Sequence, residues 1–159
     1  MEQVAGINIV CAKAGLTGIS GAATTYSTGA AGFAFSVKGK AGTKAQVSGG
    51  TTPAVDGNTG DAITLTANKG VAVVWAVNAS GTVFCFAGPV GDLDTNGAFE
   101  FAPQFPVVPS EYTPFAYTLH KAGSTLSGTF TFGSSNWNTT GMTHTVVDVL
   151  GLPDRPQTS

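Results

Sequence analysis

The large apolar residues of this chain either alternate with small or polar ones or run on without a break, and no stretch keeps a helical spacing over a useful length. Residues 32–38 alternate so that Phe33, Phe35 and Val37 share a face, which predicts a half-buried strand. Residues 22–28 and 63–66 predict weaker, shorter strands. Residues 70–77 and 82–87 are apolar at successive positions and flank a turn at Asn78, Ala79, Ser80 and Gly81, the clearest hairpin signal in the chain. Neither face of these two strands is polar, so a second sheet or a neighbouring subunit must cover them. Further strands are predicted at 98–101, 115–120, 129–132 and 143–150. Residues 48–53, 56–60 and 133–138 carry loop chemistry, rich in Gly, Ser and Asn. Pro103, Pro106 and Pro109 make their segment extended but unpaired, or place it on an edge. The pattern predicts an all-β fold, a sandwich or distorted barrel with long Gly/Thr/Pro-rich loops and extended termini.

The length of 159 residues suits one domain. Residues 1–159 are therefore taken as a single β-rich unit, with 1–16 and 151–159 as extended arms. Only 10% of residues are charged, against about 25% in an ordinary soluble domain. There are 22 glycines, and threonine and alanine occur in similar numbers. A net charge of -2, with Arg155 as the single arginine, argues against nucleic-acid binding, which depends on basic side chains displacing counterions. No apolar run approaches the ~18 residues that a bilayer span needs. The stretch from Val4 to Cys11 is apolar, but Met1, Glu2 and Gln3 bring no basic group before it, so a secretory signal is not expected. Cys11 and Cys85 sit in no paired motif and are expected to be two small buried hydrophobes.

Candidate chemistry is sparse. Asp92, Asp94, Asn96 and Gly97 match the first half of a calcium loop, but the twelfth position, where a bidentate Glu belongs, is Pro103. The same residues suit a hairpin turn through Asn96 and Gly97, which is the expectation adopted. His120 and His144 are the only histidines and have no partner at ligand spacing, so no zinc site is expected. Asp148 lies four residues beyond His144, about 13 Å along a strand, too far for direct contact. There is no nucleophile elbow, phosphate loop or dinucleotide fingerprint. Neither a cofactor nor a catalytic role is expected. Trp137 lies in a polar loop, where three roles are open to it: stacking on a sugar, inserting into a partner subunit, or capping the end of a sheet. The sequons at Asn78 and Asn138 are read as turn chemistry.

One family resemblance adds to this. The run Phe101, Ala102, Pro103, Gln104, Phe105, Pro106, continued by Pro114, Phe115, Ala116, Tyr117 and then Lys121, Ala122, Gly123, Ser124, resembles small virion structural proteins of tailed bacteriophages. The closing segment with Trp137 and residues 147–156 resembles them too, and the likeness spans about the last two thirds of the chain. In style it is similar to head decoration, or cement, proteins. That resemblance implies a non-enzymatic protein, made in the bacterial cytoplasm and carried on the capsid surface of the virion. Its partners would be copies of itself, with a trimer as first expectation, and the major capsid protein. Trp137, Phe105, Val74, Ile9 and Arg155 are the candidate partner contacts, with the arms ordering on assembly. The alternatives are a tail or head-fibre component, or a carbohydrate-binding β-sandwich that uses Trp137 and Tyr112.

Overall fold

The computed structural model describes residues 6–157, so Met1 to Ala5 of the first predicted arm and the last two residues of the second lie outside it. Among the described residues every regular element is a strand, which makes the fold all-β. In chain order these are β1 (Ile9–Val10), β2 (Thr25–Tyr26), β3 (Phe33–Val37), β4 (Lys40–Lys44), β5 (Gly50–Thr51) and β6 (Thr64–Thr66). Then come β7 (Lys69–Asn78), β8 (Val83–Ala87), β9 (Gly91–Asp92), β10 (Tyr112–Ala122), β11 (Thr129–Thr131) and β12 (Met142–Asp148). All strand pairs are antiparallel.

The main sheet has the order β12-β10-β7-β8, with β9 pairing the start of β7. Its two long central strands run from Tyr112 opposite Asn78 to Ala122 opposite Lys69. The register slips once, between Pro114 and Ala116, where proline has no N–H to give the ladder. The predicted hairpin is β7 and β8, with Val77 opposite Val83 and the Gly81 N–H donating to the Asn78 carbonyl across the turn. Smaller ladders complete the molecule: β1-β3-β4, β6-β11 and β2-β5.

Why both faces of β7 are apolar is now visible. Its side chains alternate, as in any strand. Val71, Val73, Trp75 and Val77 join one cluster with Phe115 of the neighbouring β10 and with Tyr26, Phe33, Phe35 and Phe130, brought by the smaller ladders. Ala72, Val74 and Ala76 join a second cluster with Phe86, Tyr117 and Leu119 on the opposite face. That second face is covered by irregular chain: Phe105 and Val108 from the proline-rich segment, and Val149 and Leu152 from the C-terminal segment. The proline-rich strap runs close to the sheet. A β-carbon placed on Gly88 would stand 2.3 Å from the Gln104 carbonyl oxygen.

The fold departs from the expectations at several points, one being that Gly50–Thr51, within a segment expected to be loop, pairs with β2. Residues 98–101 form no strand; only Phe99 bridges, to Leu93, because the turn before it is held by its own side chain. Residues 40–44 were not anticipated as a strand. Their polar, glycine-containing run is drawn into one by the two-residue turn at Lys38 and Gly39, whose φ values of 50° and 77° suit a tight hairpin. The described parts of both arms are extended, yet they lie on the chain's own body. β1 pairs with β3, Val10 and Leu16 are buried, and the Gln157 N–H donates to the Tyr117 hydroxyl. Cys11, finally, is exposed; only Cys85 is buried, and burial pushes its thiol pKa up.

Candidate interaction surface

The five predicted contact residues fall into three environments. Val74 has 0% exposure and Trp137 1%, both within a single chain, so neither is available to a partner. For Val74 the reason is the strap and tail just described. For Trp137 it is local: its indole N–H donates to the Thr25 carbonyl, and its ring packs on Phe130 and Phe132. It is a packing residue of the chain's own core. Phe105 is half-buried and turned inward, its ring edge-on to Tyr117 with centroids 5.0 Å apart. Ile9 and Arg155 are exposed.

Among the described residues, besides Val55, the outward-facing large apolar side chains fall into two groups. Phe101 and Val107 are each 83% exposed, on the strap itself, and Val90 lines a shallow hollow together with Phe99 and Phe101. Ile7, Ile9 and Leu150 are also exposed, and the Val10 N–H donates to the Leu150 carbonyl between them. An aromatic ring so fully in water stands out in a chain whose other large rings are all buried or half-buried. Phe101 lies in the run that carries the family resemblance, but nothing in its spacing marks it as the outward residue rather than Phe105. With no register to follow in an irregular segment, the two are equivalent in sequence.

The two histidines have no partner at ligand spacing in the sequence, and the fold brings them together. His120 and His144 are cross-strand neighbours on β10 and β12, with Nδ1 atoms 2.6 Å apart. His144 Nε2 lies 2.7 Å from the Trp137 carbonyl, which only accepts, so Nε2 carries the proton. The neutral His144 Nδ1 then accepts from His120 Nδ1–H. His120 Nε2 in turn accepts from the Thr118 hydroxyl at 2.5 Å, and that hydroxyl accepts from the Trp75 indole N–H at 3.0 Å. One direction of donation satisfies every atom of this chain, with both rings neutral. Burial lowers the pKa of both imidazoles, and the adjacent His144 lowers that of His120 further. Phe130, Phe132 and Trp137 wall the pair in. No sequence spacing could reveal this contact, because β11 and two loops intervene before the chain returns. Asp148, by contrast, is occupied elsewhere: its carboxylate accepts from the Leu16 N–H at 3.0 Å.

The acidic turn is closed by its own backbone. Asp94 Oδ1 accepts from the N–H groups of Asn96 and Ala98, both at 2.8 Å, while Asp92 forms an ion pair with Lys69. This turn borders a broad depression of about 850 Å³ at the end of the main sheet, whose rim includes Asn68, Ser124, Thr125 and Thr143. Hydroxyl and amide groups share the lining with Asp94, Leu93 and Met142. Among the described residues no helix is long and apolar enough to cross a membrane. No protein-family model, curated protein or solved structure matches this chain.

Proposed function

We propose that this chain is a non-enzymatic structural protein of a bacteriophage virion, of the capsid decoration type, which adheres to the assembled head and reinforces it. The observation that carries the proposal is the exposure of Phe101 and Val107 on a strap whose inward residues seal the sheet. The strap thus has a structural side and an adhesive side. Aromatic residues are preferred anchors at protein interfaces, and a charge-poor surface costs little to dehydrate. Weak contacts repeated over many copies on a shell add up through effective concentration. The glycan-binding alternative has lost its platform, since Trp137 is buried and the Tyr112 ring packs edge-on against Phe84 and Phe86.

The test is co-sedimentation of the purified chain with assembled phage heads and, separately, with free major capsid subunits. Saturable binding to heads, weak binding to free subunits, and loss of binding in a Phe101→Ser, Val107→Ser double variant is the expected outcome. Equal binding to heads and free subunits, or none to heads, contradicts the proposal.

A further inference from the structure

The outer edge of β12 is open, and its backbone parity can be worked out. The Val149 N–H donates to the Phe115 carbonyl (3.0 Å) and the Gly123 N–H to the Gly141 carbonyl (2.8 Å). Both pairs continue the β10-β12 register, in which Ala116 faces Asp148 and Ala122 faces Met142. Hydrogen-bonded pairs alternate along an antiparallel ladder, so Thr143, Thr145 and Val147 bond to β10, while His144 and Val146 turn their N–H and C=O groups outward. Past one end of the strand the Leu150 carbonyl accepts from Val10, and at the other the Met142 N–H donates to the Thr139 carbonyl. Between these points the outward groups of His144 and Val146 meet no backbone partner among the described residues.

Two other edges among the described strands are guarded. β4 carries Lys40 and Lys44 at its two ends. The edge of β8 is closed by the loop at Asp56, whose carboxylate accepts from the Ala87 N–H while the Gly57 N–H donates to the Cys85 carbonyl. Lysines and covering loops are the usual devices that stop a sheet edge from pairing with another chain. β12 has neither. It is seven residues long and contains no Lys, Pro or Gly.

We propose that β12 pairs antiparallel with β12 of a second copy about a two-fold axis through Thr145, joining the two main sheets into one. An open edge of this kind accepts an extended strand, and the second copy supplies a matching one. With Thr145 on the axis, His144 of each copy faces Val146 of the other, so the outward groups exchange four backbone hydrogen bonds. Thr145 faces Thr145, and Thr143 faces Val147, which are favourable β-branched pairs on one face. Asp148, the strand's one carboxylate, falls opposite Met142, away from its own copy. Exposed Ile9 and Leu150 flank the end of the strand and extend the contact. The pairing goes beyond the functional reading and does not depend on it. A chain that pairs in solution but ignores viral heads would keep the pairing and lose the capsid role.

The experiment is sedimentation equilibrium of the full chain over a wide concentration range. A reversible monomer–dimer equilibrium is expected. Thr145 is exposed, so Thr145→Lys and Thr145→Glu leave the fold intact, as circular dichroism checks. Each places like charges face to face across the axis and weakens dimerisation by about five-fold or more. Mixing the two variants in equal amounts restores the dimer. A wild-type chain that stays monomeric, forms a trimer, or dimerises with Thr145→Lys unaffected overturns the proposal.

Discussion

The two faces of β7 reach the same degree of burial by different means. On one, large side chains such as Trp75 interlock with Tyr26, their ring centroids 5.2 Å apart, and with aromatic residues held on regular ladders. On the other, Ala72, Val74 and Ala76 leave a shallow surface, and irregular chain lies down on it with Phe105, Val108 and Leu152 pointing in. The small residues make room for backbone to approach, and the prolines keep that backbone extended without requiring a ladder. A strand that is apolar on both faces therefore does not require a second subunit. A loop with inward anchors is enough.

This contrast can be broken at its strong side first. Truncating Trp75 to Ala removes the largest buried ring from the interlocked face and leaves Thr118 without its indole donor. It should cost about 3–5 kcal/mol, read as a lowered urea midpoint. Phe105→Ala acts on the strapped face, where the ring is half-buried. About 1.5–2.5 kcal/mol is expected, with the proline-rich segment becoming sensitive to proteolysis while β7 stays folded.

The paired histidines sharpen the comparison, because they lie on the interlocked side alone. Their folded-state pKa values are depressed, so the unfolded chain takes up protons that the folded chain refuses. As pH falls through the ordinary histidine value near 6.5, stability should fall, by up to about 1.4 kcal/mol per pH unit for each ring, less for the partly exposed His144. Urea titrations at successive pH values measure this, and Phe105→Ala should leave the slope unchanged. The smallest effect belongs to Phe101→Ser, on the outward side of the strap: a stability within about 0.5 kcal/mol of the parent in the same assay is expected.

Much of the fold was legible in the sequence because strand signals are local. The alternation of Phe33, Phe35 and Val37, the apolar run through Trp75, and the turn at Asn78 through Gly81 each carry their own physical reason. The all-β class follows from them. What was not legible depends on contacts distant in sequence. Lys40–Lys44 has no hydrophobic pattern and becomes a strand only because β3 templates it. His120 meets His144 through a register that no turn length specifies. Of the predicted contact residues, Val74 and Trp137 turned inward because covering groups arrive from far along the chain: the strap and tail for one, Thr25 and the β11 aromatics for the other. Ile9 and Arg155 are exposed. Phe101 was in view as part of the family-like run, but only three-dimensional packing separates it from Phe105.

The most direct test of the central claim, that one chain seals both faces of its main sheet, is native-state hydrogen exchange at the β7 amides as the protein is diluted. Protection at Ala72, Val74 and Ala76 that equals the global unfolding free energy and does not change with concentration is the result predicted. Loss of protection at these positions on dilution, with the rest of the sheet unchanged, would mean that a neighbouring copy covers the second face.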